Sequence, residues 1–340
     1  MTNTIRYVSL KNHIQGLPTE SDFEFGEAPM PELKEGQFIA ENHFVSVDPG
    51  MRSRLSGLTG YAPPVKLGEM IGGFVIGQVT DSRNPDYEVG DLVTMGGAWA
   101  THSIFAGRGF AIKLPKTDLP TSLFLGLLGI PGMTSYFGLK RIGRFNEGDH
   151  VLVTSAAGPV GATAGQLAKH WGAASVTGIA GSDEKCNWLT QEAGFDAAIN
   201  YKTESDLTAA IAAACPKGVD VLFDNVGNAM IDRVIPMMRR NGRIIVSGQV
   251  ADYNLSVEER HGIKNTVEFI GSRLSMQGLV VFDDMPNFPE AQGLISELIR
   301  SKKLVFKEEF FEGMENLPNA FCGLFKGENF GRRLVKIGDV

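Results

Sequence analysis

One stretch, His150 to Trp171, narrows the possible folds more than any other; it reads HVLVTSAAGPVGATAGQLAKHW. Val151, Leu152 and Val153 form a short apolar run, as in a strand buried on both faces of a parallel sheet. Ser155 to Gly161 is a turn of small residues. Beyond it, Val160, Ala164, Leu167, Ala168 and Trp171 recur on one face at helical spacing. Strand, tight glycine turn, helix is the context in which glycines signal a dinucleotide site. Gly158 would let backbone approach a pyrophosphate, and Gly161 would let the helix pack closely on the strand. Open N–H groups and the dipole at the helix start favour phosphate. Pro159, with no N–H to lose, fits the first turn. The pattern departs from GxGxxG, with Ala156 in place of the first glycine. The alternative is a glycine-rich strand–helix turn without a ligand, which the strand before and the helix after disfavour.

The chain has 340 residues, too many for one compact core, so two domains are expected. The fold class is α/β. Residues 150 to about 250 alternate strands (151–155, 175–180, 197–201, 219–224, 243–248) with helices (184–193, 204–214, 229–239), as in a doubly wound Rossmann sheet. Residues 1–122 are β-rich and turn-rich. They show strand-like segments at 38–47, 68–80 and 103–114 and a turn into a strand at 89–93, which suggests a small barrel or sandwich. The expected division is a first domain of 1–122, completed by 306–340, and a nucleotide-binding domain of 123–305. Pro131-Gly132 is expected to break the apolar run Leu123 to Leu139 into two helical pieces. The tail after about 305 reads as short strands ending at Arg332 to Ile337, returning to the first domain.

Composition excludes several classes of partner. A net charge of -7 argues against nucleic acid, which requires a basic surface. No apolar run approaches the ~20 residues that span a bilayer, and the N-terminal residues lack the apolar core of a signal peptide. The 3 cysteines, Cys186, Cys215 and Cys322, are far apart and suggest neither a disulfide framework nor a zinc cluster. The 6 histidines show no ligand spacing. No metal site, no nucleic acid, no membrane and a cytoplasmic location are the resulting expectations.

The strand ends narrow the cofactor. An NAD site usually carries Asp or Glu about 20 residues after the glycines, to hold the ribose 2′-OH. Here the second strand ends on Ala180, and Lys185 follows within a turn of helix. A missing carboxylate and an added cation suit a 2′-phosphate, hence NADPH. Asp183 and Glu184 argue the other way unless they occupy the first helical turn, where the dipole favours acids. The lesser alternative for Lys185 is a solvated surface lysine. Tyr201, Asn225, Gly248 and Tyr253 also stand at or just beyond strand ends, where open α/β sheets bind ligands. Tyr253 is the best polar group for a developing oxyanion, although packing alone would also account for it.

These residues together resemble a known family, the zinc-independent medium-chain dehydrogenases/reductases, in the branch with prostaglandin (leukotriene B4), alkenal double-bond and curcumin reductases. The resemblance rests on VDPGMRSRL at 47–55, YAPPVKLGEMIGG at 61–73, LGIPGMTSYFGL at 128–139 and SAAGPVGATAGQLAK at 155–169. It continues through GSDEKCNWL at 181–189, FDAAINYK at 195–202, DVLFDNVG at 220–227, ADYN at 251–254 and GLFKGENFGR at 323–332. It implies a GroES-like β-barrel first domain and NADPH-dependent reduction of the C=C bond of small-molecule enones, by hydride transfer to the β-carbon. Within it, Lys185 would meet the 2′-phosphate with Tyr201 beside it. Met133, Thr134, Gly158, Asn225, Asn329 and Gly331 would line the rest of the cofactor, and Pro49, Val160, Gly161, Gly181, Gly248, Leu279 and Val281 complete the implied set. Tyr253 would contact the nicotinamide ribose and help hold the enolate, which makes it the implied catalytic residue. The segment Gly278-Leu-Val-Val281 would close over the nicotinamide, often in a homodimer. Gly50 and Phe282 fall on the substrate side. Relatives read DPYMR where this chain has Asp48-Pro-Gly-Met-Arg52, so Gly50 implies a roomier pocket. Two alternatives stay open, an NADPH-dependent quinone oxidoreductase and a non-catalytic NADPH-binding relative.

Overall fold

The computed structural model describes residues 4–57 and 63–338. Tyr61 and Ala62, the start of the 61–73 motif, lie outside the described residues. The chain divides into two units, one of Met1–Leu125, Glu308–Asn329 and Arg333–Val340, the other of Gly126–Lys307 and Phe330–Arg332.

The first unit is antiparallel. β1 (Thr4–Leu10) and β2 (Phe23–Pro29) form a hairpin. β3 (Phe38–Ser46), β4 (Gly72–Ser82), β5 (Leu92–Ala98) and β7 (Ala111–Lys113) pair in sequence order, and β6 (His102–Phe105) joins β3. β14 (Glu308–Glu312) and β15 (Arg332–Lys336) bring the tail back, and β15 pairs antiparallel with β3. Inside, Trp99, Phe23 and Phe321 meet with ring centroids 5.6 to 6.1 Å apart. Two expectations need correction. The stretch 103–114 is two strands, because Gly107 and Gly109 turn the chain at φ 78° and 107°. The tail is not only strands: Leu317–Leu324 is a helix, with Leu317, Ala320, Phe321 and Leu324 buried at helical spacing and Pro318 in its first turn.

The second unit is the doubly wound sheet expected. Its strands are β8 (His150–Val153), β9 (Ser175–Ala180), β10 (Ala197–Asn200), β11 (Val219–Asp224), β12 (Met238–Val246) and β13 (Ser275–Gly278). All are parallel, in the order β10-β9-β8-β11-β12-β13. The order reverses between β8 and β11, where such sheets hold their ligands. Leu152, Leu222 and Phe223 are fully buried, because helices cover both faces.

The helices of this unit include α1 (Ile130–Phe137), α2 (Pro159–His170), α3 (Asp183–Gln191), α4 (Leu207–Ala214) and α5 (Asn228–Val234), with Glu268–Gly271 and the longer Phe288–Arg300 further on. Side-chain caps set two of the starts: Ser182 accepts from the Lys185 N–H, and Asp206 accepts from the Ala209 N–H. Proline explains two departures from expectation. The two expected helical pieces are present, a 3-10 turn at Thr121–Leu125 and α1, but the break falls at 126–129, and Pro131 begins α1, since the first turn needs no N–H there. The α-helix expected over 229–239 stops at Val234 and passes into a 3-10 turn, Ile235–Met237, because Pro236 has no N–H to continue the α-helical ladder; β12 starts at Met238.

Candidate functional site

Apolar β8 ends at Val153, and the chain turns sharply into α2. Ser155 adopts φ 50°, and Gly158 is the N-cap, with no side chain to cap the helix. Pro159 has no N–H, and the Ala162 N–H already bonds to the Gly158 carbonyl. The open donors of the first turn are therefore those of Val160 and Gly161. Gly161 has a steric reason: a Cβ there would stand 2.5 Å from the Ser155 carbonyl oxygen. The turn is thus a backbone cradle at a helix N-terminus, open to an anion.

At the end of β9, the Tyr201 ring lies against Gly181, where a Cβ would stand 3.1 Å from ring carbon Cε1. Lys185 is in the first turn of α3. Asp183 and Glu184 are exposed in the same turn, and Asp183 accepts a 2.7 Å hydrogen bond from the Asn200 side chain. They occupy the place that favours acids at a helix start.

At the switch point, Asn225 follows β11 directly. Its N–H donates to Thr154 Oγ1 at 2.9 Å, and its Nδ2 donates to the Thr154 carbonyl at 2.9 Å. Gly248 backs onto the Asn225 backbone, where a Cβ would stand 3.3 Å from the carbonyl oxygen. Tyr253 is half-buried in the next turn, its N–H bonded to the Gln249 carbonyl. Beyond β13, the Leu279 N–H bonds to the Val246 carbonyl; Val281 is buried and Phe282 is 40% exposed.

The remaining candidates are more scattered. Pro49 and Gly50 open a 3-10 turn, Pro49–Ser56, in the first unit, which also contains Asn329. Met133 is fully buried in α1, and Thr134 spends its hydroxyl on the Ile130 carbonyl at 2.7 Å. Gly331 belongs to the second unit. Its N–H donates to the Ala157 carbonyl in the glycine turn at 2.9 Å. It adopts φ 75°, and a Cβ would stand 2.1 Å from the Lys307 carbonyl oxygen. Phe330 beside it meets Trp188 of α3 edge-on, centroids 5.4 Å apart.

Sequence reasoning noticed Asp224 only as a strand end and missed Thr154. Both are fully buried, and Thr154 Oγ1 donates to Asp224 Oδ1 at 2.7 Å. The Gly227 and Val226 N–H groups donate to Oδ2 at 2.8 and 3.2 Å. Burial pushes the Asp224 carboxyl up to about 7; these hydrogen bonds oppose the rise, and nearby Asp252 adds to it. The one available signal was a carboxylate closing an otherwise apolar strand end. Among the described residues, no three His, Cys, Asp or Glu stand together to hold a metal ion, and no helix is long and apolar enough to cross a membrane.

Comparison with known proteins places this geometry. Residues 6–112 match the family model described as the N-terminal domain of oxidoreductase, and residues 159–297 match the one described as zinc-binding dehydrogenase. The chain is 42% identical to a putative NADP-dependent oxidoreductase, YfmJ, of Bacillus subtilis (strain 168), over 100% of this chain and 99% of the relative. It is 37% identical to the NADP(+)-dependent 2-alkenal reductase of Nicotiana tabacum, over 98% and 97%. The crystal structure of CurA from Vibrio vulnificus in complex with NADPH superposes with a TM-score of 0.91 at 33% identity, covering 98% and 100% of the two chains. With such identity over its full length and both domain models matched in order, the chain belongs to the zinc-independent medium-chain dehydrogenase/reductase family.

Proposed function

We propose that this chain is an NADPH-dependent reductase of the C=C bond of α,β-unsaturated ketones and aldehydes, acting in the cytoplasm. The observation that carries the reading is the end of β9. Ala180 closes the strand where an NAD site has its acid, and Gly181, Tyr201 and Lys185 gather there instead. A ring with a lysine nearby, and no strand-end carboxylate, suits a phosphorylated ribose. The residues also fit the rest of the cofactor. The Val160 and Gly161 N–H groups would meet the pyrophosphate, in a turn that any side chain at Gly161 would fill. Asn225, Gly248, Tyr253, Leu279 and Val281 would hold the nicotinamide end. The remaining cofactor contacts would come from Pro49, Met133, Thr134, Asn329 and Gly331. The names of the alkenal reductase and the NADPH-bound CurA support both the cofactor and the substrate class.

The cofactor supplies a hydride for the β-carbon. The chain's own work is to orient the acceptor and to hold the negative charge that develops on the carbonyl oxygen. Tyr253 is the residue proposed to hydrogen-bond that oxygen. The α-carbon takes its proton from solvent. Gly50 and Phe282 would border the substrate, with Gly50 leaving space for bulky or cyclic enones. A homodimer is part of the reading: β13 is an edge strand, and Met276, Val280 and Phe282 are exposed along and just beyond it.

The test is steady-state NADPH consumption against a panel of linear and cyclic enones and quinones, with the products identified. Saturated ketones or aldehydes are the expected products. Turnover of quinones alone, or cofactor binding without oxidation of NADPH by any acceptor, would replace this reading with one of the alternatives.

A further inference from the structure

We propose that Thr154 is a positioning residue for the cofactor, and that its hydroxyl, oriented by Asp224, sets Asn225 at the switch point of the sheet. The inference rests on the cofactor reading above. It follows from counting protons. A threonine hydroxyl carries one proton and can accept in return. Thr154 Oγ1 receives the Asn225 N–H at 2.9 Å, so its own proton goes to Asp224 Oδ1, 2.7 Å away. With the Asp224 carboxyl ionised, as it is above about pH 7, the direction of each bond is therefore determined. The Asn225 side chain is tied to the same residue, through Nδ2 and the Thr154 carbonyl at 2.9 Å. With its backbone and its amide nitrogen both anchored, Asn225 has its carbonyl Oδ1 as the acceptor to offer a donor outside, such as a ribose hydroxyl or a carboxamide N–H.

The same root holds the neighbouring loop. The Ser247 and Gly248 N–H groups bond to the Asp224 carbonyl, at 2.9 and 3.2 Å. Those of Val250 and Ala251 bond to the Asn225 and Val226 carbonyls. The Asn228 N–H bonds to Asp252, the residue before Tyr253. Thr154 and Asp224 are both inaccessible to solvent, so no water can replace a lost partner at low cost. Burial at the strand end also pushes the Asp224 carboxyl up to about 7, which marks it as a group held at some cost to the fold.

The experiment compares Thr154→Val, which keeps the shape and loses the hydroxyl, with Thr154→Ser, which keeps the hydroxyl. NADPH and NADH dissociation constants are measured by fluorescence titration well below each variant's melting temperature. Thr154→Val should weaken both cofactors by a similar factor, about tenfold, because the Asn225 contact is common to them. Thr154→Ser should restore binding to within about twofold of wild type. Equal weakening by both variants would show that any change at this buried position disturbs the site, whether or not the hydroxyl is kept, and would overturn the inference. Wild-type affinity in Thr154→Val would overturn it while leaving the cofactor reading intact. A wild-type protein that ignores NADPH would overturn both. Should the valine variant not fold, Thr154→Ala against Thr154→Ser makes the same comparison.

Discussion

The two ends of the parallel sheet treat buried carboxylates in opposite ways. Where the strands begin, acids meet arginines. Asp149, just before β8, pairs with Arg243, and both side chains are nearly buried, at 10% and 11% exposure. Asp220, near the start of β11, pairs with Arg239 at 2.9 Å and also accepts the His150 N–H. Where the strands finish, Asp224 and Asp252 are just as buried, but the donors that reach them are the Thr154 hydroxyl and peptide N–H groups. Charge is neutralised at one end and only hydrogen-bonded at the other. The first arrangement closes the sheet and holds β8, β11 and β12 together. The second leaves polar groups and backbone donors facing the crevice where sheets of this order take their ligands.

If this contrast is right, stability and binding should separate between the ends. The largest effect is expected at the closed end. Arg243→Met leaves Asp149 buried without its cation and should cost about 3–5 kcal/mol in urea unfolding. The NADPH affinity of the folded fraction should not change. A stable variant with impaired binding would break the comparison.

The next effect concerns pH at the open end. In the folded protein the Asp224 carboxyl sits at about 7, against an ordinary value of 3.8, so between these values the folded state holds a proton that the unfolded chain releases. This group therefore lowers stability as pH rises from about 4 towards 7, by about 1.4 kcal/mol per unit of displacement, and contributes no further slope above that range. Asp224→Asn removes the titration. Urea midpoints collected from pH 4.5 to 8 should lose this downward slope, and an unchanged slope would show that another group carries it.

The smallest effect should leave the fold untouched. Lys185→Ala should weaken NADPH about tenfold or more, the loss of ~1.5–3 kcal/mol from a charge-assisted bond, and leave NADH nearly unaffected. The ratio of the two dissociation constants is the readout. Equal losses would remove Lys185 from the 2′-phosphate.

What was legible in the residues alone was local. The apolar run at 151–153, the small turn after it and the helical spacing beyond depend on contacts within a few positions, and periodicity reveals these. The side-chain caps at Ser182 and Asp206 also act across only three residues, yet the expected helices, 184–193 and 204–214, do not start at them. Misreadings came where a local signal had two meanings: Pro131 could end a helix or begin one, and its place in the first turn was settled by how the chain packs. The candidate site divided along the same line. Lys185 and Tyr201 stood out by position in the strand–helix alternation.

Other parts of the site only the tertiary structure decided. Thr154 and Asp224 are 70 positions apart, and nothing near either residue says that one proton runs between them. The Gly331 N–H reaches the Ala157 carbonyl because the tail returns to the glycine turn, which no periodicity encodes. Local pattern is written in neighbouring residues, so sequence by itself determined the strands, helices and turn of the nucleotide crevice. Hydrogen-bond direction and backbone proximity depend on which strands lie side by side, and that is settled only when the sheet is assembled.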